Sequence, residues 1–318
     1  MPAPVWLLTD PRMDAHHASA HPERPARREA AADGVRIAAG ERLVDAPFEP
    51  ATDHELAAVH ERDYLELLAD ADRRGGAWLD PDTYLSAGSL LAARLAAGAT
   101  LRAAVGVADA GAEVAFAVVR PPGHHAASGR ASGFCLFNNV AIAAAGLRAA
   151  GRAGRIAIID WDVHHGDGTQ EIFAGDPDLC YASTHQSPFY PGTGLPAERG
   201  VGKAAGTKHN RPLAAGDGDD AFVGAWRDEL LPAVEAFAPE AILVSAGYDA
   251  HRADPLAELD VTEHGYAEVS RLLGALSRRL GLPGVALTLE GGYDLDALRD
   301  STAATVRGLL EGRSAEPD

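Results

Sequence analysis

Cysteine is nearly absent. Two residues, Cys135 and Cys180, stand far apart in 318, with no CxxC pair. That excludes a disulfide framework and a cysteine zinc site, and it fits a reducing, cytoplasmic setting. Basic residues are also short. Lys and Arg total 28 against 46 Asp and Glu, a net charge of -18. Such a chain lacks the positive surface that non-specific nucleic-acid binding needs, although it is compatible with cationic substrates. Long apolar runs are missing too, so no segment reads as a membrane span. The opening MPAPVWLLTDPRMD has no basic region followed by a long apolar stretch, and no signal peptide is expected. Lysine is scarce beside arginine and alanine, a bias that looks like high-GC coding and is given no functional meaning. Nothing in the sequence sets the oligomeric state.

What is present suffices for a sizeable core. At 47% hydrophobic, the chain reads as one large α/β domain over 1–318. The early part is mostly helical, after a first strand at Pro4–Leu8. A polar loop rich in His follows (His16, His17, His21), then helices over 24–39, 62–71 and 86–108, with Asp53 as N-cap of a further one. Strands over 113–119, 156–159, 179–184, 241–245 and 285–289 alternate with helices over 140–150, 219–237, 262–280 and 295–310. Residues 186–210 read as one long Gly/Pro-rich loop. This alternation predicts a three-layer α/β/α sandwich with a mostly parallel sheet, in preference to a closed barrel.

The chain is organised around RIAIIDWDVHHGDGTQ at 155–170. Ile156 to Ile159 form a short apolar run, as in a strand buried on both faces. Asp160, Asp162, His164, His165 and Asp167 follow within eight positions. Asp162 and His164 are two apart, so an extended backbone would point both to one side. A strand-end turn capping the next helix is the plainer reading. Five ionisable groups after a buried strand favour a metal instead, because buried charge must be paired or metal-bound. Asp249, His124, His125 and Tyr293 follow other strands and would converge there. Two carboxylates and one imidazole suit zinc with coordination left open for catalysis.

These segments resemble a known family. PPGHHA at 121–126, SGFCLFNN at 132–139, DWDVHHGDGTQ at 160–170, SAGYDAHRADP at 245–255 and LEGGYDL at 289–295 are similar to the zinc-dependent histone deacetylases. The resemblance runs from the HPERPARRE region to the last helix, nearest the class II branch and its bacterial relatives. Asp167 departs from it, since many class II members carry an amide there. The resemblance implies an arginase–deacetylase fold and amide hydrolysis of N-acetyl groups. It implies that Asp162, His164 and Asp249 hold one zinc ion. His125 would be general base and acid, His124 its electrostatic partner, and Asp160 and Asp167 would orient the two imidazoles. Tyr293 would hold the substrate carbonyl. Phe134 with Phe189 or Tyr190 would flank the acyl-lysine stem, the Gly133 carbonyl would accept the substrate amide, and Arg27 would line an acetate exit. A structural potassium ion would lie among Asp160, Asp162, His164, Ser183 and Thr184, and a second near Phe173, Asp176, Leu179 and Thr207.

An arginase-like bimetallic site needs further carboxylates where this chain has Gly166 and His251, and is rejected. A non-catalytic acyl-lysine binding module would show a lost ligand, His or Tyr, and none is lost. A small-molecule deacylase, acting on acetylpolyamines for example, shares every catalytic residue. Leu256 argues for acyl-lysine in peptides or proteins, because the family's polyamine-selective members carry Glu at the matching position. Asp14 or Glu23 would be alternative sources of a rim carboxylate.

Overall fold

A computed structural model describes residues 3–315. Met1 and Pro2, where the reading of the N-terminus begins, lie outside that range. The strands are β1 (Val5–Leu8), β2 (Leu43–Asp45), β3 (Gly76–Trp78), β4 (Tyr84–Ser86), β5 (Val114–Ala117), β6 (Ile156–Asp160), β7 (Leu179–Gln186), β8 (Lys208–Leu213), β9 (Ala241–Ala246) and β10 (Val285–Leu289). The helices are α1 (Ala26–Ala39), α2 (Asp53–Ala57), α3 (Arg62–Arg73), α4 (Ser89–Ala108), α5 (Asn139–Ala149), α6 (Asp167–Ile172), α7 (Asp219–Ala225), α8 (Leu231–Phe237), α9 (Glu263–Arg279) and α10 (Leu295–Ser314).

Eight strands form one parallel sheet in the order β2-β1-β5-β10-β9-β6-β7-β8, and β3 and β4 pair apart from it as an antiparallel ribbon. Central strands are buried on both faces and divide their side chains by the pleat. On β6, Ala157 and Ile159 join the core under α1, α7–α10, while Ile156 and Ile158 join the core under α4 and α5. The same alternation splits β5, with Val114 and Phe116 on one side and Ala115 and Ala117 on the other. The result is the expected α/β/α sandwich.

Three local expectations change. Thr52, not Asp53, caps α2. Its hydroxyl accepts the Glu55 N–H and the Glu55 carboxylate accepts the Thr52 N–H, a reciprocal capping box. The loop expected over 186–210 ends early, at edge strand β8, whose Lys208, Asn210 and Leu213 are buried. The helix expected over 219–237 carries a π turn at Trp226–Leu230. There Pro232 lacks the N–H that would bond the Asp228 carbonyl. Helix α4 is long and apolar enough to cross a membrane by composition. Its alanine-rich faces are instead packed against the sheet and α5.

Candidate active site

β5, β10, β9 and β6 are neighbours, and all four deliver chemistry at their carboxyl ends, where open α/β sheets bind ligands. His124 and His125 follow β5, Asp249 follows β9, Tyr293 follows β10, and Asp160 closes β6. Asp162 and His164 converge for a reason other than the pleat. The strand ends at Asp160, and both lie in the turn beyond it, where the Asp162 carboxylate accepts the His164 N–H at 2.9 Å.

One atom each of Asp162, His164 and Asp249 lies within 4.8 Å of the others. His164 Nδ1 is 3.0 Å from Asp162 Oδ1 and 3.2 Å from Asp249 Oδ2. The ring nitrogen is hydrogen-bonded to Asp162, and Asp249 Oδ2 is buried with no hydrogen-bond partner. Burial works against a charged His164 imidazole, yet its contacts with Asp162 and Asp249 push it up to about 10. The pocket floor therefore favours positive charge, and its O/N donor set and orphaned carboxylate oxygen fit a zinc ion. Gly291 makes the close packing possible: a Cβ there would sit 2.0 Å from Asp249 Oδ2, and its N–H instead donates to Asp162 Oδ2 at 2.8 Å.

The two imidazoles differ. His125 Nδ1 lies 2.7 Å from Asp167 Oδ1, and His124 Nδ1 lies 3.1 Å from Asp160 Oδ2. Burial and the neighbouring His124 lower His125 to about 4, so it is neutral at pH 7. Burial also opposes charge on His124, but Asp162 and Asp160 hold it well above the usual imidazole range. The His124 backbone is fixed from below by Glu290, which the sequence reading passed over. Its carboxylate accepts the N–H groups of Gly123 at 2.6 Å and His124 at 3.2 Å. Tyr181, also unforeseen, donates to Asp160 Oδ2 at 2.9 Å.

A cavity of about 230 Å³ opens over this floor. His124, His125, Gly133, Phe134, Tyr190, Leu256 and Tyr293 line it. Phe189 does not; its ring stacks on His164, centroids 5.3 Å apart. The Gly133 backbone passes so near His125 that a Cβ would come 2.4 Å from its ring. Burial pushes the Tyr293 phenol well above its usual range, which keeps it a neutral donor. Arg27 lies behind Tyr293, its guanidinium 4.7 Å from the ring, donating to the Gly292 and Glu290 carbonyls at 2.5 Å. Glu23 is buried against Arg120 and Arg27, and Asp14 is held by Arg28, so neither serves as a rim carboxylate. Asp82, which the sequence reading did not single out, lines the mouth instead. A larger groove, about 610 Å³, lies elsewhere beside Phe48 and Leu101 and gathers none of these groups. His251 turns away, with Nε2 3.3 Å from Glu263 Oε1.

Of the residues expected around potassium, Asp160 stands opposite Ser183 in the β6–β7 register. The Ser183 hydroxyl is 3.0 Å from His185 Nδ1, and the Thr184 hydroxyl accepts the Trp226 N–H at 3.1 Å. At the second expected place the chain supplies its own cation. Lys208 Nζ donates to the carbonyls of Leu179 at 2.7 Å and Asp176 at 3.3 Å and to Thr207 Oγ1 at 2.7 Å. Its ammonium takes up these three oxygens.

Comparison with known proteins agrees with this geometry. The chain matches the Histone deacetylase domain family over residues 21–309. A probable deacetylase of Archaeoglobus fulgidus is 42% identical over 295 residues, 92% of this chain and 82% of that protein. The histone deacetylase-like amidohydrolase of Pseudomonas aeruginosa is 34% identical, across 99% of this chain and 82% of its own length. Histone deacetylase 15 of Arabidopsis thaliana is 39% identical over 92% of this chain, which spans only 53% of that protein. The crystal structure of the HDA15 HD domain superposes with a TM-score of 0.91 at 38% identity, covering 97% of this chain and 88% of that one. With the sheet, the acidic pocket floor and the paired imidazoles in place, the chain belongs to the histone deacetylase family.

Proposed function

We propose that this deacetylase-family chain is a zinc-dependent hydrolase that removes acetyl groups from lysine side chains of peptides or proteins, releasing acetate. One observation carries the reading: the Asp162–His164–Asp249 cluster lies under two imidazoles, each bound to its own carboxylate. Zinc held by those three residues would lower the pKa of water and polarise the scissile carbonyl. The chain's residues do the rest. Asp167 occupies His125 Nδ1 and leaves Nε2 free to take a proton from water and deliver it to the leaving amine. His124, held charged between Asp160 and Asp162, stabilises the developing anion. The Tyr293 phenol donates to the carbonyl oxygen as it gains charge. Phe134 and Tyr190 flank a passage that suits an unbranched arm, with the Gly133 carbonyl as acceptor for its amide and Arg27 behind Tyr293 towards the acetate exit. A structural potassium ion would rest on backbone oxygens around Asp160, Asp162, His164, Ser183 and Thr184, since the hydroxyls there are engaged.

Leu256 on the cavity wall favours acyl-lysine, because an apolar side chain offers nothing to a second ammonium. Asp82 at the mouth favours the second reading, an acetylpolyamine whose distal charge would meet that carboxylate. A competition assay between an acetyl-lysine peptide and N8-acetylspermidine separates the two, with Leu256→Glu and Asp82→Asn in parallel. Peptide preference in the wild type, shifted about tenfold towards the polyamine by Leu256→Glu (about 1.4 kcal/mol), is the expected result. Polyamine preference that Asp82→Asn abolishes overturns the peptide reading.

A further inference from the structure

The chain has only two lysines, and one of them is inside. Lys203 is exposed, whereas Lys208, the first residue of β8, is 0% exposed. A lysine ammonium is strongly hydrated and is almost never fully buried unless paired. No ion pair meets it among the described residues. The carboxylate whose charge acts on it, Asp176, is engaged by Arg148 and by the Asp178 N–H. Instead each of its three N–H groups has one neutral oxygen: the Leu179 and Asp176 carbonyls and the Thr207 hydroxyl. Cross-bracing holds those oxygens in place. The Phe173 carbonyl accepts the Asp176 N–H at 3.1 Å, the Thr207 carbonyl accepts the Tyr181 N–H at 3.0 Å, and the Thr207 hydroxyl donates to the Ala204 carbonyl at 2.8 Å. Neutral oxygens fixed around one positive charge also replace the hydration shell of a potassium ion.

We propose that this cage is a monovalent-cation site with Lys208 as its built-in occupant. The ammonium bars free potassium, and truncating the side chain opens the cage to it. Burial lowers Lys208 to about 8, which leaves it an ammonium at neutral pH. The tethered charge joins the segment after α6, the start of β7 and the start of β8. Asp167, at the start of α6, bonds His125, and Tyr181, on β7, bonds the Asp160 carboxylate that holds His124.

Two experiments test this. The first uses the unaltered protein and NMR of lysine ammonium groups. With Lys203 exposed, one slowly exchanging ammonium signal is expected at neutral pH, absent in Lys208→Met. No persistent signal in the wild type overturns the proposal. The second compares thallium(I)-soaked crystals of wild type and Lys208→Ala. One additional thallium inside the cage is expected in the variant only. Its melting temperature should also rise saturably in potassium over sodium chloride, by more than that of the wild type or Lys208→Met. No thallium in the cage overturns the proposal. So does a variant that folds in neither salt, because a free cation then does not replace the ammonium.

Discussion

At the carboxyl end of the sheet, Asp162 and Asp249 crowd two carboxylates against one imidazole and leave Asp249 Oδ2 without a hydrogen bond. At the amino end of β7 and β8, three neutral oxygens surround one ammonium and satisfy all of its N–H groups. Both are buried sites for positive charge. The first is built from anions, so its charge balance calls for a multivalent ion from outside. The second is built from dipoles, which stabilise a single charge that the chain already carries. A buried site is completed from within only where its own donors and acceptors match in number.

Removing divalent metal should have the largest effect, and it sharpens this contrast. Chelator-treated protein is expected to lose all turnover and regain it with one zinc per chain, measured by elemental analysis. The Lys208 ammonium signal should stay unchanged throughout. Two tightly held divalent ions per chain, both needed for activity, would break the account of the pocket floor.

Next comes the difference between the imidazoles above that floor. His125→Ala should lower kcat by about 10²–10⁴-fold, the range for a positioned acid–base group. His124→Ala should cost less, and both variants should keep the metal. Near-normal turnover in His125→Ala would reverse the assignment.

The smallest effect expected here is that of the phenol. Tyr293→Phe removes one hydroxyl and leaves the ring in place against Phe134 and Arg27. If the hydroxyl stabilises the oxyanion, kcat should fall about 10²–10³-fold with KM little changed. Unchanged kcat would reduce Tyr293 to a wall of the cavity.

Much of the carboxyl end was legible because its residues are local to strand ends. The apolar run 156–159 announces a buried strand, and the abrupt change at Asp160 announces its polar end. HHGDG and EGGY place small residues beside charged ones, and the structure shows the reason at Gly291, where no Cβ fits beside Asp249. The convergence of Asp162 with His164 was anticipated, but through the pleat of a strand that in fact stops two residues earlier.

The sequence by itself determined the alternation of strands and helices, the family resemblance and the candidate ligands. Each rests on periodicity or on neighbours within a few residues. Only the tertiary structure decided which distant groups face each other. It set Glu290 beneath His124, buried Glu23 between two arginines and brought Asp82, not Asp14, to the cavity mouth. It also gave meaning to the scarce lysine, which composition had left without any. Edge strand β8 has no strong apolar run to mark it. Lys208 lies inside because pairing β8 to β7 carries its side chain to carbonyls about thirty residues earlier in the chain, a contact no local pattern encodes.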